Sequence, residues 1–304
     1  VGLGVRVRCG ARVTAIRTSA PPGSSAASSP SSAEAAVAGV TLASGEEVDA
    51  EVVLSNRDVP LSYGLLRGAA ETHGSARSQR LLAGGEYSAG VIAYLWSVEG
   101  RRLEKLAHHN VFLSADYRGS WQRATCPDSL PRCPNFYLHC PARTDPTAAP
   151  PGCDSLMVLL PVANMQEILR AQEAERRRTA SPLLAALTAG SAAASAAAAG
   201  GGEVDYSGLV AAGREAVFRA LEEAGVAGPG GAAGLRGCIA EEVVIEPSQW
   251  AERYSLAHGA AFGLSHGLSQ LSILRPDVGD DKVRGLYHVG ASCRPGNGVP
   301  LVML

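Results

Sequence analysis

The stretch from Gly285 to Pro300, GLYHVGASCRPGNGVP, restricts the possible folds more than any other part of this 304-residue chain. Leu286 to Val289 is a short apolar strand, and the turn after it holds Gly290, Gly296 and Gly298. Pro295 and Pro300 forbid a continuous helix through the turn, and the chain is apolar again from Val299 to Leu304. The pattern predicts a strand, a glycine-lined loop and the first turn of a helix. Glycines let a ligand approach the backbone, and a helix start offers unpaired N–H groups to an anion or a polarised oxygen. With no start methionine at Val1 and a helix barely begun at Leu304, the chain is expected to be a piece of a larger protein.

Composition sets the outer bounds. A chain of this length with 46% hydrophobic residues can bury a sizeable core in one large or two ordinary domains. A net charge of −2 and few aromatic residues give no basic field for nucleic acid. No run of strongly apolar residues is long enough to span a membrane. The seven cysteines include no C-x-x-C pair, and an odd number argues against a complete disulfide framework. Cys126, Cys133 and Cys140 recur every seven residues, too wide for a zinc knuckle, so reduced thiols and no metal are expected.

Alternation predicts strands over Val5–Arg8 and Ala11–Ile16. Residues 19–39, nearly all Ser, Ala, Pro and Gly, read as a disordered insertion at a hairpin tip. The returning strand runs from Gly39 to Leu42, a turn follows at Ser44–Gly45, and Val52–Leu54 reads as a buried strand. Buried strands are also expected over Ala89–Leu95, Ser155–Val162 and Val243–Ile245. Helices are expected over Gln166–Arg178, from its charged residues, and over Leu209–Ala224, with Val210, Val217, Phe218 and Leu221 on one face. Residues 189–203 and the glycine-rich residues 225–237 read as flexible insertions. There is no Walker loop or G-x-G-x-x-G fingerprint.

Several blocks carry a family resemblance. Gly290-Ala-Ser-Cys-Arg-Pro-Gly-Asn-Gly-Val-Pro300 resembles the C-terminal flavin-contacting segment of bacterial- and fungal-type phytoene desaturases, within the amine-oxidase-like flavoproteins. Tyr254 to His266, followed by Leu274-Arg-Pro276, is similar to the block before that loop. His108-His-Asn-Val-Phe-Leu-Ser114, Asp116-Tyr-Arg118, Phe136 to Pro150 and Met157 to Pro161 resemble central blocks, in the right order.

The resemblance implies a two-domain α/β FAD-dependent oxidoreductase, truncated at both ends and lacking the N-terminal nucleotide fingerprint. It divides the chain into residues 1–60 of the FAD-binding domain, a substrate domain over 61–245, and a return to the FAD-binding domain over 246–304. It implies FAD contacts at Val13, through its backbone, and at Gly290, Ala291, Ser292, Gly296, Gly298 and Val299. The substrate would be a lipophilic polyene, met by Phe262, His266 and Leu268, with Leu264 and Leu271 as further tunnel candidates. Hydride would pass from a C–H bond to flavin N5. No catalytic residue is identified: His258 and His266 can shuttle protons near neutral pH, but a hydrogen-bonded structural role suits both. His108 and His109 are read as packing and positioning residues, because adjacent side chains point apart on a helix or a strand. Other readings are a carotenoid cis–trans isomerase of the same superfamily and a non-catalytic fragment. The resemblance implies contact with a membrane surface and leaves the oligomeric state unknown. The alanine- and serine-rich insertions suggest a plastid, with the cytoplasm as the alternative.

Overall fold

A computed structural model describes residues 4–20, 35–100, 103–179, 204–270 and 274–298. Two compact units form, one from residues 1–86 with 262–304 and the other from 87–261. The boundaries differ from those expected at 60/61 and 245/246. Residues 61–86 stay with the first unit because Leu66 to Gly68 pairs in parallel with Ile16 to Thr18, while residues 247–254 pack on a strand of the second.

In the first unit, β1 (Val13–Ser19) and β2 (Ala35–Leu42) form the expected hairpin, and β3 (Glu47–Asp49) folds back on β2. The strand β2 begins at Ala35, so 35–39 is part of the sheet and not of an insertion; residues 21–34 lie outside the described residues. Val5–Arg8 is not a strand: nothing pairs with it among the described residues, and Val5 and Val7 are exposed. The strand β4 (Val53–Ser55) leads into α1 (Val59–Tyr63), β5 (Leu66–Gly68) and α2 (Glu71–Gly84). Two short strands, β11 (Val283–Arg284) and β12 (Leu286–His288), return from the other end of the chain. The main sheet runs β11-β2-β1-β5, and β12 pairs in parallel with β4 alone. Contrary to expectation, Val52 and Leu54 are exposed, because among the described residues only β12 flanks β4. Ile16, Val37, Val59, Tyr63, Leu66 and Leu286 form the core of this unit.

The second unit is built on an antiparallel sheet ordered β10-β6-β9-β8-β7. Its strands are β6 (Gly90–Val98), β7 (His109–Phe112), β8 (Phe136–His139), β9 (Asp154–Val162) and β10 (Ile239–Ile245). Burial alternates along β9, with Leu156, Val158, Leu160 and Val162 inside, as period-two patterning demands. The helix α3 (Met165–Thr179) is largely solvated. In α4 (Ser207–Glu223), Leu209, Gly213, Val217, Phe218 and Leu221 face the core, and the Phe218 ring stacks on Trp96 with centroids 4.9 Å apart. Val210, expected on that face, is only partly buried. Residues 225–237 are not a flexible insertion: they contain α5 (Gly231–Arg236), anchored by fully buried Leu235. Residues 189–203 lie outside the described residues. The helix α6 (Pro247–Tyr254) closes the unit. Among the described residues no helix is long and apolar enough to cross a membrane.

Candidate functional site

The site begins where β12 ends. His288, the last residue of β12, is fully buried, and the chain then enters the turns of residues 290–298. Gly290, Gly296 and Gly298 have φ of +110°, +127° and +121°, a region closed to ordinary side chains. A Cβ on Gly296 would lie 2.7 Å from His266 Nε2. The glycines therefore answer first to the path of the backbone and its own neighbours.

What holds the loop is Arg275, a residue the sequence offered only as part of a resembling block. Arg275 is 2% exposed, and its guanidinium has no carboxylate partner among the described residues; every described bond goes to a backbone carbonyl. On one side it donates to Leu264 (2.9 Å), Ser265 (2.9 Å) and Gln270 (3.3 Å). On the other it donates to Cys293 (3.2 Å) and to Ala291, through both Nε and a terminal nitrogen. One planar fork thus ties the glycine loop to the segment over residues 264–270. Burial pushes its pKa down.

Two further clasps join the same segments. The Leu264 N–H donates to Ser292 Oγ at 3.1 Å, and the Asn297 N–H donates to His266 Nε2 at 3.2 Å. Burial, and then the nearby Arg275, lowers the His266 pKa, which suits a neutral ring accepting that bond. Gly263, at φ +63°, lets the chain pass so close to Ser292 that a Cβ there would sit 2.0 Å from Oγ. The segment from 262 to 270 therefore buttresses the loop.

The proposed contacts divide accordingly. Ser292 is buried and Ala291 gives its carbonyl to Arg275, while Gly296 meets His266. Val13 opens β1 opposite Leu42. Phe262 is 49% exposed and Leu268 is 88% exposed, whereas Leu264 is core. Val299 and Leu271 lie outside the described residues. His258 has positive φ and sets its ring edge-on to Tyr87 at 4.7 Å. All seven cysteines are free thiols, with Cys140 and Cys293 buried.

The loop keeps backbone donors for a ligand oxygen. The amides of Ala291, Ser292, Gly296 and Gly298 make no hydrogen bond to a described residue, so the loop can offer them to an electron-rich oxygen. Amides of Cys293, Arg294 and Asn297 are already used internally.

His288 is the unexpected member. Its ring packs against Tyr63 at 5.0 Å, and neither nitrogen has a hydrogen-bond partner among the described residues. Burial drives its pKa down to about 4, opposed by Asp280 and assisted by Arg77. The unfolded histidine takes its proton near pH 6.5 and the folded one only near 4, so stability is lost as pH falls through that window. The loss should approach roughly 3 kcal/mol by pH 4. Urea midpoints between pH 7 and 4 should fall, and His288→Phe, which keeps the ring packing, should remove most of that slope.

Together these features define a two-unit α/β protein whose distinguishing site is a strand leading into an arginine-braced glycine loop. Its sequence is similar to those of phytoene desaturases. It is 31% identical over 270 residues to the phytoene desaturase of Phycomyces blakesleeanus, covering 88% of this chain and 39% of that one. A zeta-carotene-forming phytoene desaturase from Myxococcus xanthus is 30% identical over 272 residues, covering 88% of this chain and 42% of the relative. The chain thus spans about two fifths of the length of the curated relatives it matches. No family model matches it. An oxidoreductase structure from Methanosarcina mazei aligns over 96% of this chain and 46% of its own, at 18% identity and a TM-score of 0.49, a likeness too weak to argue from.

Proposed function

We propose that this chain is the flavin-loop portion of an FAD-dependent carotenoid desaturase that removes hydrogen across carbon–carbon single bonds of a lipophilic polyene. The observation that carries the reading is the glycine loop: its sequence resembles the flavin-contacting segment of the family, and Arg275 holds it with four amides free of described partners. When bound, FAD supplies the hydride acceptor. The chain's own residues position and polarise. A loop amide that meets an oxygen gaining negative charge stabilises that charge with little reorganisation, and Arg275 fixes the Ala291 carbonyl, the other end of the Ser292 peptide group. His266 accepts the Asn297 N–H and serves as a brace for the loop.

The exposed Phe262 and Leu268 flank this brace in sequence and offer apolar surface to a hydrocarbon. Such a substrate resides in a bilayer, so the parent enzyme works at a membrane surface, in a plastid by the compositional argument. The test is product analysis: the parent enzyme, incubated with FAD and vesicles carrying a phytoene-type polyene, should lengthen the conjugated chromophore. Geometric isomers without added double bonds would replace this reading with the isomerase. No change in the polyene would favour the non-catalytic reading.

A further inference from the structure

Three histidines converge at one end of the β7–β8 pair, remote in sequence from the glycine loop. His109 and His139 are register partners across the two strands, β7 being the sheet's outer strand. The expectation that adjacent His108 and His109 point apart fails because His108 is a bend residue before β7, outside the strand's alternation. Its backbone is fixed there: the Cys140 N–H donates to its carbonyl at 2.8 Å. Next to it, the Asn110 side chain hooks the Ala107 backbone at 2.9 and 2.7 Å. The ring centroids of His108 lie 4.2 Å from His109 and 4.6 Å from His139. One ring nitrogen from each of the three falls within 4.8 Å of the others, and the Nε2 atoms of His108 and His139 are 2.8 Å apart.

We propose that His108, His109 and His139 bind one divalent first-row transition-metal ion, with Zn2+ the reference case, leaving one coordination position to solvent. The donor set is all imidazole, which suits zinc, copper or nickel and disfavours calcium and magnesium, which want oxygen ligands. Tetrahedral Zn–N bonds of about 2.0–2.1 Å require ligand nitrogens roughly 3.3 Å apart. The His108–His139 pair, at 2.8 Å, is closer than that value and every pair lies within 4.8 Å, so ring rotation is what forms the site. The orienting partners are also in place. Thr144 Oγ1 sits 2.5 Å from His108 Nδ1, which leaves Nε2 for a metal, and the Tyr137 hydroxyl sits 2.6 Å from His109 Nδ1. Hydroxyls on the far nitrogen fix ring orientation and tautomer, the usual support for a metal-bound histidine.

The test is a titration of the chain, without a histidine tag and freed of metal with chelator, using Co2+ followed by visible absorption. The proposal expects one equivalent of four-coordinate Co2+, displaced by Zn2+. His109→Ala with His139→Asn should abolish that spectrum, and Thr144→Val, which keeps all three ligands, should weaken binding about 10- to 100-fold. Melting of each variant in chelator shows that it remains folded. The idea is overturned if the wild-type chain gives no four-coordinate spectrum, or if the double variant binds as tightly as the parent. The latter result would place the metal on the free thiols. Unchanged affinity in folded Thr144→Val would also contradict the arrangement argued here.

Discussion

Replacing Arg275 with methionine is expected to cost about 3 kcal/mol of stability and to release the loop over residues 290–298. Two effects compete. Methionine removes a buried cation whose desolvation is unfavourable, as the downward push on its pKa records. It also strips donors from the carbonyls of Leu264, Ser265, Gln270, Ala291 and Cys293. Each carbonyl left buried and unpaired costs about 1–3 kcal/mol, and water can reach only some of them, so the loss wins. Arg275→Lys should fall between, since a single ammonium cannot reach both segments. Urea denaturation and amide exchange across residues 262–298 read both consequences. A methionine variant within 1 kcal/mol of the parent, with unchanged exchange, would remove Arg275 as the organiser of the site.

Trp96→Ala is expected to destabilise the second unit by about 3–5 kcal/mol. The ring is 1% exposed, stacks on Phe218 within 7° of parallel, and donates through Nε1 to Glu242 at 2.7 Å. Glu242 in turn grips Arg214 from α4, so the loss couples a cavity to the sheet–helix seam. Trp96→Phe keeps most of the stacking and gives up one hydrogen bond, for about 1–2 kcal/mol. Thermal or urea unfolding separates the two variants. Equal losses would mean that the hydrogen bond, and not the volume, carries the effect.

Much of this was legible in the sequence because it depends on local patterning. Alternating burial along Asp154–Val162 and the apolar face of Ser207–Glu223 follow from periods of two and 3.6 residues. The short strand Leu286–His288 and the glycines after it were equally readable. What failed depends on partners distant in the chain. Val5–Arg8 alternates like a strand but has no neighbour to pair with among the described residues, and Val52–Leu54 is apolar yet flanked on one side only. The helix Gly231–Arg236 hides in a glycine-rich run because its stability comes from burying Leu235, not from propensity. In the site, the glycines announced themselves through composition. Arg275 did not, because its five carbonyl partners lie 5 to 18 positions away and backbone acceptors leave no mark on sequence. The histidine cluster was dismissed by a rule for regular strands, which His108 does not obey.

The proposed function makes the glycine loop the flavin-facing part of an oxidoreductase. The most direct measurement is the flavin absorbance of the purified protein, taken on this chain and on a form extended at its N-terminus to include a nucleotide-binding fingerprint. The account predicts that the extended form holds FAD while this chain alone does not, and that Arg275→Met in the extended form weakens retention. If neither form retains FAD under native conditions, the likeness to phytoene desaturases records ancestry without the cofactor chemistry, and the proposed function falls.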